Sequence, residues 1–121
     1  MRYRSTAGKS QEVSLEDAVV KGLAPDRGLY MPLEFPRLSE EFFKRLPEMA
    51  LPEMAAEIAE ALFGEDVEPE KLKALTEETM NFPIPLARVK DNVYSLELFH
   101  GPTLAFKDVG ARFMARLLGY F

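Results

Sequence analysis

Apolar residues recur at two spacings along the chain, and the spacing changes after Pro85. Before that point the period is helical. Leu15, Ala18 and Val19 form one edge of a short helix. Ser14 stands in front of it to accept hydrogen bonds from the first-turn amides, and Gly22 behind it to take a left-handed cap. Ser39 reads as the N-cap of a second helix carrying Phe42, Phe43 and Leu46, broken at Pro47. The stretch LPEMA occurs at 46–50 and again at 51–55, far too short a unit for a solenoid, and Pro52 restarts a helix at its first turn. Met54, Ala55, Ile58, Leu62 and Phe63 then give a one-sided apolar stripe ending at Gly64. A fourth helix begins near Pro69, with Leu72, Leu75 and Met80 inward. Helical spacing accounts for these methionines and phenylalanines as core, without a ligand box.

Between the first two helices lies GLAPDRGLYMP, residues 22–32. Pro25-Asp26-Arg27-Gly28 suits a tight turn in which proline presets one dihedral and Gly28 supplies the flexible one, leaving Arg27 without need of a positive φ. Leu29, Tyr30 and Met31 form a short strand stopped by Pro32. After Pro85, residues 86–89 and 93–98 alternate as strands do, and Asp91-Asn92 between them makes a hairpin. From Asp108 onward, Val109, Phe113, Met114, Leu117 and Leu118 mark an amphipathic helix closed by Gly119, with Gly110, Ala111 and Ala115 as a smooth side for close packing. Little chain remains to cover its apolar face. We therefore expect a truncated piece of a longer chain, prone to self-association through that face.

Composition changes this picture little. With 47% hydrophobic and 29% charged residues, the 121-residue chain is an ordinary globular one able to build a modest core. The net charge of -5 is uneven: nine acidic residues between Glu53 and Glu78 face only Lys71 and Lys73. That stretch reads as solvated helix faces. No basic stripe or nucleic-acid motif is present, so no nucleic acid is expected as partner. No apolar run approaches the roughly 20 residues needed to cross a bilayer, so no membrane is expected either. The opening MRYRSTAGKS lacks the apolar segment of a secretory leader, and the cytoplasm is the expected location.

Elimination narrows the chemistry. A single histidine, His100, and no cysteine leave no His/Cys metal cluster, so no metal site is expected. Neither a G-x-S-x-G elbow nor the standard nucleotide-binding glycine loops occur. Glu40-Glu41 and Glu77-Glu78 lie on polar helix faces as solvated surface. Lys107 remains, in the stretch LELFHGPTLAFKD at 96–108. One reading is an exposed charge at a helix start, an unfavourable place because that end of a helix carries partial positive charge. The other is an amine placed for chemistry: a neutral lysine attacks an aldehyde to form a Schiff base, and Leu104, Ala105 and Phe106 would help dry such a site. The residues alone leave both open.

LELFHGPTLAFKDVGARFMARLL closely resembles the segment of threonine synthases that carries their cofactor lysine. The match is to the longer subfamily, which has an N-terminal domain. Tyr3-Arg4-Ser5-Thr6 with Gly8 is similar to that family's opening Y-x-S-T-R-G, and GLAPDRGLYMP is similar to its G-L-A-P-D-G-G-L-Y-x-P. Ala7 and Arg27 depart from the pattern, standing where the family has arginine and glycine. The three motifs occur in the family's order over essentially the whole chain.

The resemblance implies an α/β fold: an α+β N-terminal domain over 1–90, mostly helical with a short hairpin. Residues 91–121 would then be the strand, lysine loop and first helix leading into a cofactor domain. The parent would share the fold type II architecture of pyridoxal 5′-phosphate (PLP) enzymes, related to the tryptophan synthase β subunit. It also implies a carbon–oxygen lyase acting on phosphates, converting O-phospho-L-homoserine and water to L-threonine and phosphate. Lys107 would hold PLP and shuttle protons, and Phe106, with 100–103, would shape the site. The phosphate cradle would lie outside these residues, leaving the 121-residue chain inactive. Alternatives are a complete non-catalytic domain serving folding or partner binding, or part of a related phospho-amino-acid lyase. His100 is either a wall of the site or a loop histidine bonded to backbone. Arg112 and Arg116, four apart on one helix face, would meet either phosphate or solvent and a domain contact.

Overall fold

A computed structural model describes all 121 residues. Its elements in chain order are β1 (Tyr3–Ser5), α1 (Leu15–Lys21), β2 (Tyr30–Pro32), α2 (Glu40–Arg45) with a 3-10 turn (Leu46–Glu48), α3 (Leu51–Phe63), α4 (Pro69–Thr79), β3 (Leu86–Lys90), β4 (Val93–Leu96) and α5 (Lys107–Tyr120). The strands form two separate antiparallel pairs, β1–β2 and β3–β4. This is the expected mainly helical mixture with a short hairpin.

The helix boundaries follow local chemistry. Ser14 Oγ accepts from the Asp17 amide at 3.1 Å, and Ser39 Oγ from the Phe42 amide at the same distance. Each satisfies a first-turn donor that the helix itself leaves free. Gly22 closes α1 at φ 68°, a conformation that would strain a side chain, and its amide reaches the Ala18 carbonyl. Pro52 and Pro69 stand in the first turns of α3 and α4, where a missing amide is harmless. Three boundaries differ from expectation: Pro32 does not stop its strand but is the last residue of β2, paired with Tyr3, β4 ends at Leu96, and α5 runs on past Gly119. α5 runs through Gly119 to Tyr120, because the Phe121 amide still finds the Leu117 carbonyl and glycine in a last turn only weakens a helix.

The core gathers both ends of the chain. Tyr3, Leu15, Val19, Ala59, Val67, Leu72 and Leu117 are buried together, with Met1, Phe63, Leu75 and Phe113 packed around them. Leu72 and Leu117 are almost fully enclosed, each contributing about 2 kcal/mol by removal from water. Phe63 of α3 and Phe113 of α5 stack with centroids 5.7 Å apart. The apolar face of α5 is thus half covered: Leu117 and Phe113 face the core, while Met114 and Leu118 remain exposed. The smooth side at Gly110, Ala111 and Ala115 is open to solvent. β3–β4 is exposed apart from the half-buried Ala87, with Leu86, Val89 and Leu96 uncovered.

The turn after α1 corrects one expectation. Arg27, not Gly28, takes the positive φ, at 68°. The Arg27 amide closes a turn onto the Ala24 carbonyl at 2.8 Å, and Arg27 itself swings left-handed where Leu23 and Leu29 pair. Gly28 is needed for a different reason. A Cβ there would strike Ser5 Oγ and lie 2.7 Å from the Ala7 nitrogen, so β1 can approach only a bare backbone.

Candidate functional site

Lys107 is the first residue of α5, and its side chain is exposed. It enters no ion pair and no side-chain hydrogen bond. The acid beside it is occupied elsewhere: Asp108, 4% exposed, accepts the Thr103 amide at 2.8 Å on Oδ2 and the Thr103 hydroxyl at 2.8 Å on Oδ1. Thr103 lies in a turn in which the Leu104 amide meets the Gly101 carbonyl at 3.0 Å, with Pro102 presetting the second position. Leu104 then takes a positive φ of 56° while exposing its side chain. For a leucine this is a strained conformation, held by the bonds on either side of it. Phe106, the residue before Lys107, is also exposed.

The helix that carries Lys107 is anchored at several points. Arg112 donates to the Thr79 carbonyl at 2.8 Å, the Glu78 carbonyl at 3.0 Å and Asn81 Oδ1 at 2.9 Å. Its guanidinium lies 5.5 Å from the Phe82 ring centroid. It therefore caps the C-terminus of α4, where free carbonyls concentrate negative charge. Arg116 pairs with Glu78 on the same helix. Both arginines thus contact α4 and the residues just after it, and Arg116 is also open to solvent.

Of the two readings of His100, the structure departs from the backbone-bonded one. Its Nε2 lies 2.7 Å from Glu97 Oε2, so its partner is a carboxylate and not backbone, and its ring packs 4.6 Å from that of Phe99. His100, Thr103, Leu104 and Phe106 thus lie on the one short connection between β4 and α5, which ends at Lys107. The Thr103–Asp108 pairing went unread from sequence, since a separation of five matches neither helix nor strand periodicity.

The opening motif and the 22–32 turn form one polar knot away from this connection. Asp26 accepts from Ser5 Oγ at 2.5 Å, the Lys9 amide at 2.9 Å and the Gly28 amide at 3.1 Å. These bonds, the Ser5 hydroxyl foremost, hold its carboxyl well below the usual carboxylate range. Ser5 itself is buried. The two motifs are therefore joined by a structural clamp between β1 and the turn.

The model of the threonine synthase N terminus matches residues 2–80. The chain belongs to that family. It is 39% identical to threonine synthase from Serratia marcescens over 118 residues, 98% of this chain and 28% of that one. It is 43% identical to threonine synthase from Haemophilus influenzae over 108 residues, 89% of this chain and 25% of that one. Among solved structures, threonine synthase from Escherichia coli superposes with a TM-score of 0.90 at 36% identity, covering 99% of this chain and 28% of that one. A PLP-bound threonine synthase from Brucella melitensis gives 0.90 at 35% identity, with 99% and 27% covered. The chain spans about a quarter of the length of the threonine synthases it matches. The three motifs thus identified the family, and the fold is that of the N-terminal part of threonine synthase. No helix is long and apolar enough to cross a membrane.

Proposed function

We propose that this chain is the N-terminal part of a PLP-dependent threonine synthase that converts O-phospho-L-homoserine and water to L-threonine and phosphate. One observation carries the reading: Lys107 is an exposed, unpaired amine at the start of an anchored helix, with its neighbouring acid buried on Thr103. An aldehyde requires such a free amine. The residues present therefore fit the lysine end of the cofactor. They hold no glycine-rich loop to cradle its phosphate at a helix N-terminus. PLP, when bound, supplies that aldehyde and a ring that takes up electrons from the substrate carbon skeleton.

In this reading Lys107 binds the cofactor and moves protons at its Nζ, and Phe106 beside it limits water. Residues 1–90 are the N-terminal domain and 91–121 the entry to the cofactor domain. The family match over 2–80 supports that division, and the β3–β4 hairpin spans its boundary. The reading includes a cytoplasmic enzyme and self-association of the isolated chain through Met114, Leu118 and the exposed hairpin.

The test uses the full-length protein that carries this chain. Wild type is expected to release phosphate and form threonine, with a visible absorbance band from bound PLP that Lys107→Ala abolishes. An unchanged visible spectrum in Lys107→Ala removes the lysine from this role. The 121-residue chain alone is expected to show no turnover.

A further inference from the structure

The loop preceding Lys107 is fastened to the helix that follows it. The Asp108 carboxylate is buried, and both its oxygens are used by Thr103, one by the amide and one by the hydroxyl, each at 2.8 Å. Gly101 closes the third side. A Cβ at that position would lie 2.5 Å from Asp108 Oδ2 and 2.7 Å from Asp108 Cβ, so the carboxylate fits only beneath a bare backbone. The Asp108 amide in turn meets the Ala105 carbonyl at 3.0 Å. Residues 101–105 therefore wrap the first turn of α5. The rest of that helix is held by Leu117 in the core and by Arg112 on α4.

We propose that Thr103 and Asp108 are positioning residues for Lys107. The inference rests on the reading of Lys107 as the cofactor lysine. Thr103 has two effects. It pins the turn carrying the strained Leu104 against α5, fixing the backbone from which Lys107 projects. It also occupies both oxygens of the one carboxylate adjacent in sequence, which would otherwise be available to the lysine ammonium as a counter-ion. A lysine paired with a neighbouring acid is held protonated, and only the unprotonated amine attacks an aldehyde. The hydroxyl is the removable half of the clamp, because the amide remains whatever side chain stands at 103.

The experiment uses the full-length protein incubated with PLP, reduced with borohydride at several pH values and digested. Mass spectrometry then gives the share of label on each lysine. In wild type, Lys107 is expected to carry most of it against Lys9, Lys21, Lys44, Lys71, Lys73 and Lys90. Thr103→Val, nearly isosteric but without the hydroxyl, is expected to lower the Lys107 share about tenfold. It should also move the pH dependence of labelling upward, and Thr103→Ser should restore both. A wild-type share and pH profile in Thr103→Val overturns the positioning role while leaving Lys107 as the labelled residue. A wild type that shows no preference for Lys107 overturns the underlying reading, and the positioning role with it. Should Thr103→Val fail to fold, amide exchange in the wild type decides: a Thr103 amide exchanging at the rate of an open loop overturns the clamp, and a protected one supports it.

Discussion

Replacing Arg27 by glycine should stabilise this domain, contrary to the usual effect of adding a glycine. Arg27 holds φ at 68°, where a residue with a Cβ pays about 1–2 kcal/mol relative to one without. Its side chain is exposed, and the polar bonds of the loop run instead through Asp26, Ser5 and the amides of Lys9 and Gly28. Nothing is lost with the guanidinium. Glycine gives back about 0.5–1 kcal/mol through the greater freedom of the unfolded chain. The net gain is therefore about 0.5–1 kcal/mol, or roughly 2–4 °C in melting temperature for a domain of this length. Urea titration followed by circular dichroism would measure it, with Arg27→Ala as the control. Alanine removes the side chain but keeps the Cβ, so it should sit near wild type. Gly28→Ala should lose about 1–3 kcal/mol, since its new methyl meets Ser5 and Ala7. An Arg27→Gly midpoint at or below that of Arg27→Ala would refute the assignment of strain to this backbone.

Three further outcomes follow from the same geometry. Arg112→Ala removes three charge-assisted bonds to the end of α4 and to Asn81 beyond it, and should lose about 2 kcal/mol in the same titration, with Arg112→Lys recovering only part because an ammonium cannot fork. The lowered Asp26 carboxyl contributes stability that is fully present above its ordinary value of 3.8 and is lost as pH falls through the lower folded value; Asp26→Asn should therefore be less stable at pH 7 and show a shallower acid limb below pH 4. Burial pushes the Tyr3 hydroxyl up to about 12 from its ordinary 10.0, so stability is complete below pH 10 and declines between there and pH 12, a decline that Tyr3→Phe should flatten in an alkaline titration.

Much of the fold was legible because it is specified locally. Ser14, Ser39, Pro52, Pro69 and Gly22 each act within one turn of their own position, and each bounds its helix where expected. The hairpin turn at Asp91-Asn92 is equally local. Arg27 was misjudged because the turn residue with the positive dihedral is decided by how Leu23 and Leu29 pair, and Gly28 drew attention for a conformation it does not need. Arg112 was undecided for a related reason. Its partners are backbone carbonyls more than thirty positions earlier, and a side chain reaching for a distant helix end leaves no periodic mark.

The candidate site divides along the same line. Resemblance supplied Lys107, since FHGPTLAFKD is nearly a signature, but it was silent about what holds the lysine in place. The answer lies in α5, whose two ends do different work. Ten residues at about 1.5 Å each separate Lys107 from Leu117 by roughly 15 Å. At one end Leu117 is enclosed with Tyr3, Leu15 and Leu72; at the other Lys107 stands in solvent above the buried Asp108. A rigid helix couples these ends, so the apolar core of the N-terminal domain sets where the amine can point. A Leu117→Ala change, which empties a fully buried site and should remove about 2–5 kcal/mol, ought therefore to weaken labelling of Lys107 even at temperatures where the fold persists. Lys71 and Lys73 should label no less than before, because they project into solvent from exposed positions in the first half of α4 and label without any particular orientation.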